Sequence, residues 1–376
     1  MSGDWREQVE SLFAQADGLA DGESKVRLLE EAVRLADTHK DVGMGYRMRD
    51  ALIDAATFGG FPDKALVAFA WCRGQQKKDP KRFDPEEMFW KQKWVVGRIK
   101  EFPHITRKQI QDALDDVEQC FKATDSGVRA VLKMRYQAAR EMGDAAEEVE
   151  RLWNAWLETR RDHLTDCRVC ELDDELDHHA DKGEWQQVLR KAKPILDGRK
   201  SCAEIPHLTL GTVLYPLFKL GELEHAREIH RRGYAMVTKN REFLSTVGEH
   251  MEFLALTDNL SRGLTLLEKH LGWALDHPSY RDRFTFYAAA AFLLERVLAA
   301  GDRDVVSLRL PKTFPNHQAD GGYDVRALHA WTLGQARDIA NRFDTRNGTD
   351  RFAKLLARNQ VLAGEVRPFP IEKRDQ

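Results

Sequence analysis

Cys167 and Cys170 stand three residues apart in the stretch DCRVC, and Cys202 and His207 follow in SCAEIPH. Three thiols and an imidazole form a Cys3His set, which suits tetrahedral Zn2+ and would close a structural site with no position left for water. One structural Zn2+ is therefore the cofactor expected here. The same residues also fit two other roles. Cysteine is a common small core residue in packed helices, and a thiol at a helix N-terminus has a lowered pKa that favours redox chemistry. His163 and His250 are alternatives to His207 as fourth ligand, because helix rotation decides which imidazole faces the thiols. Cys72 and Cys120 are expected to be core residues.

Two helices must position this set. Asp166 is expected to be the N-cap of the first, placing Cys167 and Cys170 one turn apart on one face, and that helix should end near Gly183. The second opens at Pro206, a residue favoured at the first helical position, with Cys202 in the turn before it and His207 just inside. Aligned on Gly183 and Gly221, the two helices bring His207 beside Cys170.

Both helices belong to a longer pattern. Apolar residues at three and four spacing recur in KVRLLEEAVRLADTH, AEEVERLWNAWLETR, WQQVLRKAKPIL and SRGLTLLEKHLGWAL, and convincing alternating strands are absent. Turns at Gly22, Gly60, Gly143, Gly183, Gly221, Asp258 and Gly301 recur at intervals of 37 to 43 residues, apart from one double interval that hides a turn near residues 101–106. A fixed period of this length in a helical chain implies stacked helical hairpins, since one hairpin cannot bury its apolar face alone. The stretch GELEHAREIHRRGYAM, with Gly221, Ala226 and Tyr234, resembles the inter-helix turn and second helix of a tetratricopeptide repeat. DCRVCELD, SCAEIPH and GEHMEFLALTDN are similar to stretches of tetratricopeptide-repeat proteins from bacteria of high genomic GC. That resemblance covers about residues 10 to 300 and implies an all-α fold, a right-handed α-solenoid of about seven hairpins. It implies no activity. The period exceeds about 34 residues, so a HEAT-like stack stays open beside it.

Residues 1–301 are thus expected to form the repeat array, and 302–376 a long loop with a helical C-terminal cap in the same continuous domain. Residues 305–324 carry two prolines and a Gly pair without helical period, and Asn347-Gly348 marks a later turn.

Composition narrows the function. The chain of 376 residues is 42% hydrophobic and 32% charged, yet 58 basic against 61 acidic residues leave a net charge near -3. No global field favours nucleic acid or an anionic membrane, and no window approaches the length of a membrane span. A cytoplasmic location with reduced thiols is expected. No HExxH, GxSxG, phosphate loop or GxGxxG occurs, so the chain does not read as an enzyme. The long loop offers His317, Asp320 and Asp324 as acid-base groups.

The function expected is a protein or peptide interaction scaffold. The alternatives are a peptide-sensing receptor acting through a partner protein, or a non-catalytic subunit of an enzyme complex. By resemblance, first helices of each repeat line a concave groove, which would be basic toward the N-terminal half and acidic around Glu171, Asp173, Asp174, Glu175 and Asp177. Arg98, Lys133 and Arg135 are the candidates for holding an acidic ligand, and Trp90 and Trp94 the candidates for an aromatic shelf. Adjacent His178 and His179 point about 100 degrees apart on a helix and do not make a shared metal site.

Overall fold

The computed structural model describes residues 4–202 and 205–371. The described chain is all-α apart from one small hairpin, and it separates into two compact units. The first runs to Thr165 and includes Asn240–Glu242; the second comprises Asp166–Lys239 and the chain from Phe243 onward.

The first unit holds α1 (Trp5–Asp17), α2 (Glu23–Thr38), α3 (Val42–Gly59), α4 (Pro62–Lys78), α5 (Phe89–Arg98), α6 (Arg107–Lys122), α7 (Val128–Met142) and α8 (Ala146–Glu158). Each helix packs on its neighbour in sequence, and α5 also touches α3 and α7. The turn hidden near residues 101–106 lies between α5 and α6. There Thr106 and Gln109 form a capping box: Thr106 Oγ1 accepts the Gln109 amide at 3.2 Å, and Gln109 Oε1 accepts the Thr106 amide at 2.8 Å. The apolar interior is divided. Val26, Leu29, Ile53, Phe69 and Cys72 form one cluster; Phe89, Ile110, Val117, Phe121 and Met134 form another; Tyr136, Trp153 and Trp156 make a third, with ring centroids 5.3 to 5.5 Å apart.

The second unit holds α9 (Arg168–Asp181), α10 (Trp185–Leu196), α11 (His207–Thr212), α12 (Leu214–Leu220), α13 (Leu223–Val237), α14 (Leu244–Leu256), α15 (Leu260–Asp276), α16 (Tyr280–Ala300), strands β1 (Val305–Ser307) and β2 (Gly322–Asp324), α17 (Val325–Asn347) and α18 (Arg351–Ala363). One contiguous core from Leu176 to Ile371 runs through it. The helix expected to open at Pro206 is broken at Val213. Pro216 has no N–H to bond the Thr212 carbonyl, so α11 and α12 are separate short helices.

The turns anticipated at Gly60, Gly143, Gly183, Gly221, Gly301 and Asp258 all have φ between 59° and 84°. At Gly60 glycine is needed twice over, for its φ of 84° and because a Cβ would lie 2.9 Å from the backbone nitrogen of Glu242.

The segment 305–324 departs from the loop expected. β1 and β2 pair antiparallel, with Val306 opposite Tyr323. Three-residue strands are too short for an alternating pattern to register. Leu308, Leu310 and Phe314 in the excursion between them are buried, and Phe314 meets the Trp331 ring edge-on at 4.8 Å. The acidic groups of this segment hold the backbone: Asp320 accepts the Gly322 amide, and Asp324 caps α17 through the Ala327 amide.

Beyond α18 the chain lies against the end of α14. Arg367 and Phe369 donate their amides to the carbonyls of Leu256 and Thr257 at 2.9 and 3.0 Å. Asn259 grips the same segment, donating to the Phe369 carbonyl at 2.9 Å and accepting from the Ile371 amide at 3.1 Å. No helix of the described residues is long and apolar enough to cross a membrane.

Candidate metal centre

Cys167, not Asp166, is the N-cap of α9. Its φ and ψ are -59° and 153°, and its sulfur accepts the Cys170 amide at 3.2 Å. A thiol thus takes the place that a hydroxyl or carboxylate usually fills, and the helix starts one residue later than its sequence suggests. An N-cap side chain leans over the third helical residue, so Cys167 and Cys170 meet, with Sγ atoms 3.1 Å apart. Cys202 arrives from the turn before α11, where its amide bonds the Ile205 carbonyl at 2.9 Å, and its Sγ lies 3.3 Å from that of Cys170.

The three sulfurs fall within 4.8 Å of one another. Cys167 is exposed, and Cys170 and Cys202 are half-buried. Burial pushes the Cys170 thiol well above its ordinary range, and the neighbouring thiols add to that. Burial also opposes ionisation of Cys167, but donation from the Cys170 thiol and from the Cys170 and Val169 amides outweighs it and lowers its pKa. Cys167 is therefore the first of the pair to become a thiolate. Three thiols drawn from two chain segments could hold a metal ion. A tetrahedral zinc thiolate with bonds of about 2.3 Å has sulfurs about 3.8 Å apart, so the Cys167–Cys170 and Cys170–Cys202 edges need open by only about 0.5 to 0.7 Å.

His207 is not in this group. Thr209, fully buried, donates to Asp173 of α9. Two residues correspond to about 200° of helix rotation, so the Thr209 side that meets α9 turns His207 away from it. The His207 ring instead stacks on Phe243, centroids 5.1 Å apart and planes 7° from parallel, and its Nδ1 is buried without a hydrogen-bond partner. Among the described residues no histidine or carboxylate completes a four-ligand group with the three sulfurs.

Of the remaining cysteines, Cys72 is fully buried and its thiol is pushed up to about 12 by burial, as befits a core residue. Cys120 is half-buried and receives Arg73 at 3.2 Å.

The residues expected to bind a partner are engaged within the first unit. Arg98 pairs with Glu101 at 3.0 Å and with Glu242. Arg135 is held by Asp115 and Glu118, each at 2.6 Å, and Lys133 is buried. An acidic ligand would have to displace these carboxylates. Trp90 is partly exposed but carries the Lys93 ammonium 3.6 Å from its ring centroid, while Trp94 packs edge-on against Phe58 at 5.1 Å.

Two constellations of the second unit escaped the sequence reading. His230, His250 and His270, on α13, α14 and α15, are buried. His230 and His250 share a hydrogen bond between Nδ1 atoms at 3.1 Å, and Tyr234 bonds His270 Nε2 at 3.0 Å. Burial depresses all three imidazoles, those of His230 and His270 to about 3. The second constellation is anionic. Glu249 on α14 is half-buried, and its carboxylate has no hydrogen bond or ion pair among the described residues. It lies over Gly211, where a Cβ would sit 2.2 Å from Oε2. Burial, then the charges of Asp177, Glu252 and Asp173, raise its pKa to about 8 against the pull of Arg281.

Neither known protein-family models nor curated protein sequences return a match to this chain.

Proposed function

We propose that this chain is an interaction scaffold built of tandem helical hairpins of the tetratricopeptide kind, and that its second unit binds an extended protein segment carrying a Lys or Arg. The ordered alternation of helices with turns of one chemistry supports the repeat reading. The unpaired Glu249 carboxylate carries the partner reading. A carboxyl held near pH 8 among Asp173, Asp177 and Glu252 is a site of unsatisfied negative potential, and a partner's cation relieves it. In the same reading, one Zn2+ at Cys167, Cys170 and Cys202 clasps the start of α9 to the turn before α11.

Proton linkage tests this. A cation that lowers the Glu249 pKa expels its proton on binding, so a short Lys/Arg-containing peptide binds more tightly at pH 9 than at pH 6, by about tenfold per unit of pKa drop. Calorimetry in buffers of different ionisation enthalpy reads the released proton. In Glu249→Gln the proton release disappears and affinity at pH 9 falls. Binding with no proton release, or with equal affinity in Glu249→Gln, overturns the assignment.

A further inference from the structure

We infer that the cysteine centre is coordinatively open: it holds a Zn2+ ion by the three thiolates of Cys167, Cys170 and Cys202 and leaves the fourth position to an exchangeable ligand, water or an imidazole supplied from outside. The inference rests on the metal reading above and deepens it. Four sulfur or imidazole ligands would give a closed clasp; three protein ligands with one free position make a site that an external donor can enter.

Three observations carry it. The sulfurs already form a triangle, linked at 3.1 and 3.3 Å through Cys170, so one ion contacts all three after a small expansion. Cys167 is exposed, which leaves this side of the triangle within reach of solvent. The histidine placed to close the site by its spacing, His207, is committed to the Phe243 ring on the other side of α11. Turning it to the thiols would break that stack and rotate Thr209 away from Asp173. Glu204, two residues after Cys202 in sequence, lies outside the described residues and is tested directly.

The ion also has an electrostatic reason to sit here. Three thiolates gathered at one place repel one another, and a divalent cation removes most of that repulsion while the N-terminal amides of α9 favour the residual negative charge. Binding exchanges thiol protons for the metal, with no electron transferred: three S–H bonds are lost, three S–Zn bonds form, and the protons pass to solvent.

Cobalt substitution gives the test on the full-length, tag-free, reduced protein. Sulfur-to-cobalt charge-transfer intensity counts thiolates, and the visible bands report the geometry and the fourth ligand. The expected result is one Co2+ per chain, displaced by Zn2+, with a three-thiolate spectrum shared by the parent, His207→Ala and Glu204→Gln, and visible bands that shift on titration with imidazole. Cys167→Ser should lose one thiolate's intensity and bind Co2+ more weakly than the parent. Serine still caps α9, so this variant keeps its fold, which circular dichroism verifies. Bands insensitive to imidazole but altered in His207→Ala or Glu204→Gln mean a closed four-ligand site and overturn the inference while leaving the metal reading intact. A reduced parent that binds neither Co2+ nor Zn2+ removes both.

Discussion

The two units differ in how their apolar interiors are divided and in which polar groups lie among them. The first neutralises charge with charge: Arg49 with Asp37, Lys91 with Asp50 and Asp54, Arg73 with Asp116, Arg135 with Asp115 and Glu118. Its apolar interior is divided into several small clusters between these pairs. The second has one continuous core; it too holds ion pairs, Arg358 with Glu252 and Lys191 with Glu175, but it also buries His230, His250 and His270 with depressed pKa values and leaves the Glu249 carboxylate without an ion pair among the described residues. The difference separates groups already satisfied from groups that can still respond. Paired charges are satisfied and offer little to a ligand, whereas thiols, imidazoles and an isolated carboxyl respond to metal, proton or a partner's cation.

Cutting into each core gives the largest effect. Phe253→Ala empties a fully buried site in the second unit and should cost about 3–5 kcal/mol. Because that core is continuous, hydrogen exchange should accelerate together from α9 to α18. Trp156→Ala costs a similar amount in the first unit, but its apolar cluster among the described residues is drawn from α7 and α8, so the loss of protection should centre there. Exchange in Trp156→Ala that spreads evenly from α1 to α8 would erase the contrast between divided and continuous cores.

Acid should separate the units next. The pKa values of His230, His250 and His270 lie below the ordinary 6.5, so the unfolded chain takes up protons that the folded unit refuses. Their contribution is complete above pH 6.5 and is lost as pH falls below it, with a slope of up to about 4 kcal/mol per pH unit for three sites. Arg262 beside His230 and Lys269 beside His270 reinforce the depression. In the first unit Asp115 and Glu118 are lowered by Arg135 and Lys122, so their contribution is lost only below the ordinary carboxylate range, near pH 4. Exchange measured at pH 7, 6 and 5, corrected for intrinsic rates, should show the second unit opening first. His270→Gln should flatten that dependence by about a third.

The turns were legible in sequence because their chemistry is local: a left-handed residue that ends a helix is written as glycine, and Asp258 was found by its place in the period. The Cys167–Cys170 pair was legible from its three-residue spacing, although the cap was expected at Asp166 and lies at Cys167. The His207 orientation was not, because it depends on which side of a six-residue helix faces α9, and Thr209 decides that. The three buried histidines sit on three successive helices, where single residues on apolar faces look like ordinary core substitutions. The pairing of Arg98 with Glu242 spans 144 residues and leaves no local trace. The basic residues read as a groove were therefore visible, while the carboxylates that neutralise them were not.

The ion pairs themselves offer the finest test of the comparison. Arg49 sends two nitrogens to Asp37 at 2.7 and 2.9 Å, reaches the Gly45 carbonyl at 3.3 Å, and lies 3.9 Å over the Trp71 ring. Arg49→Lys keeps the charge but loses the fork and the stacking plane, and should cost about 1 kcal/mol in the first unit alone. Asp37 is nearly half exposed, with 47% of its side-chain surface open to water, so solvent screens the pair. A double-mutant cycle with Asp37→Asn should return a coupling below about 1 kcal/mol that shrinks in molar salt, leaving ring contact as the larger share of what Arg49 contributes. A coupling of several kcal/mol that ignores salt would mean that charge pairing holds the first unit together as firmly as apolar packing holds the second.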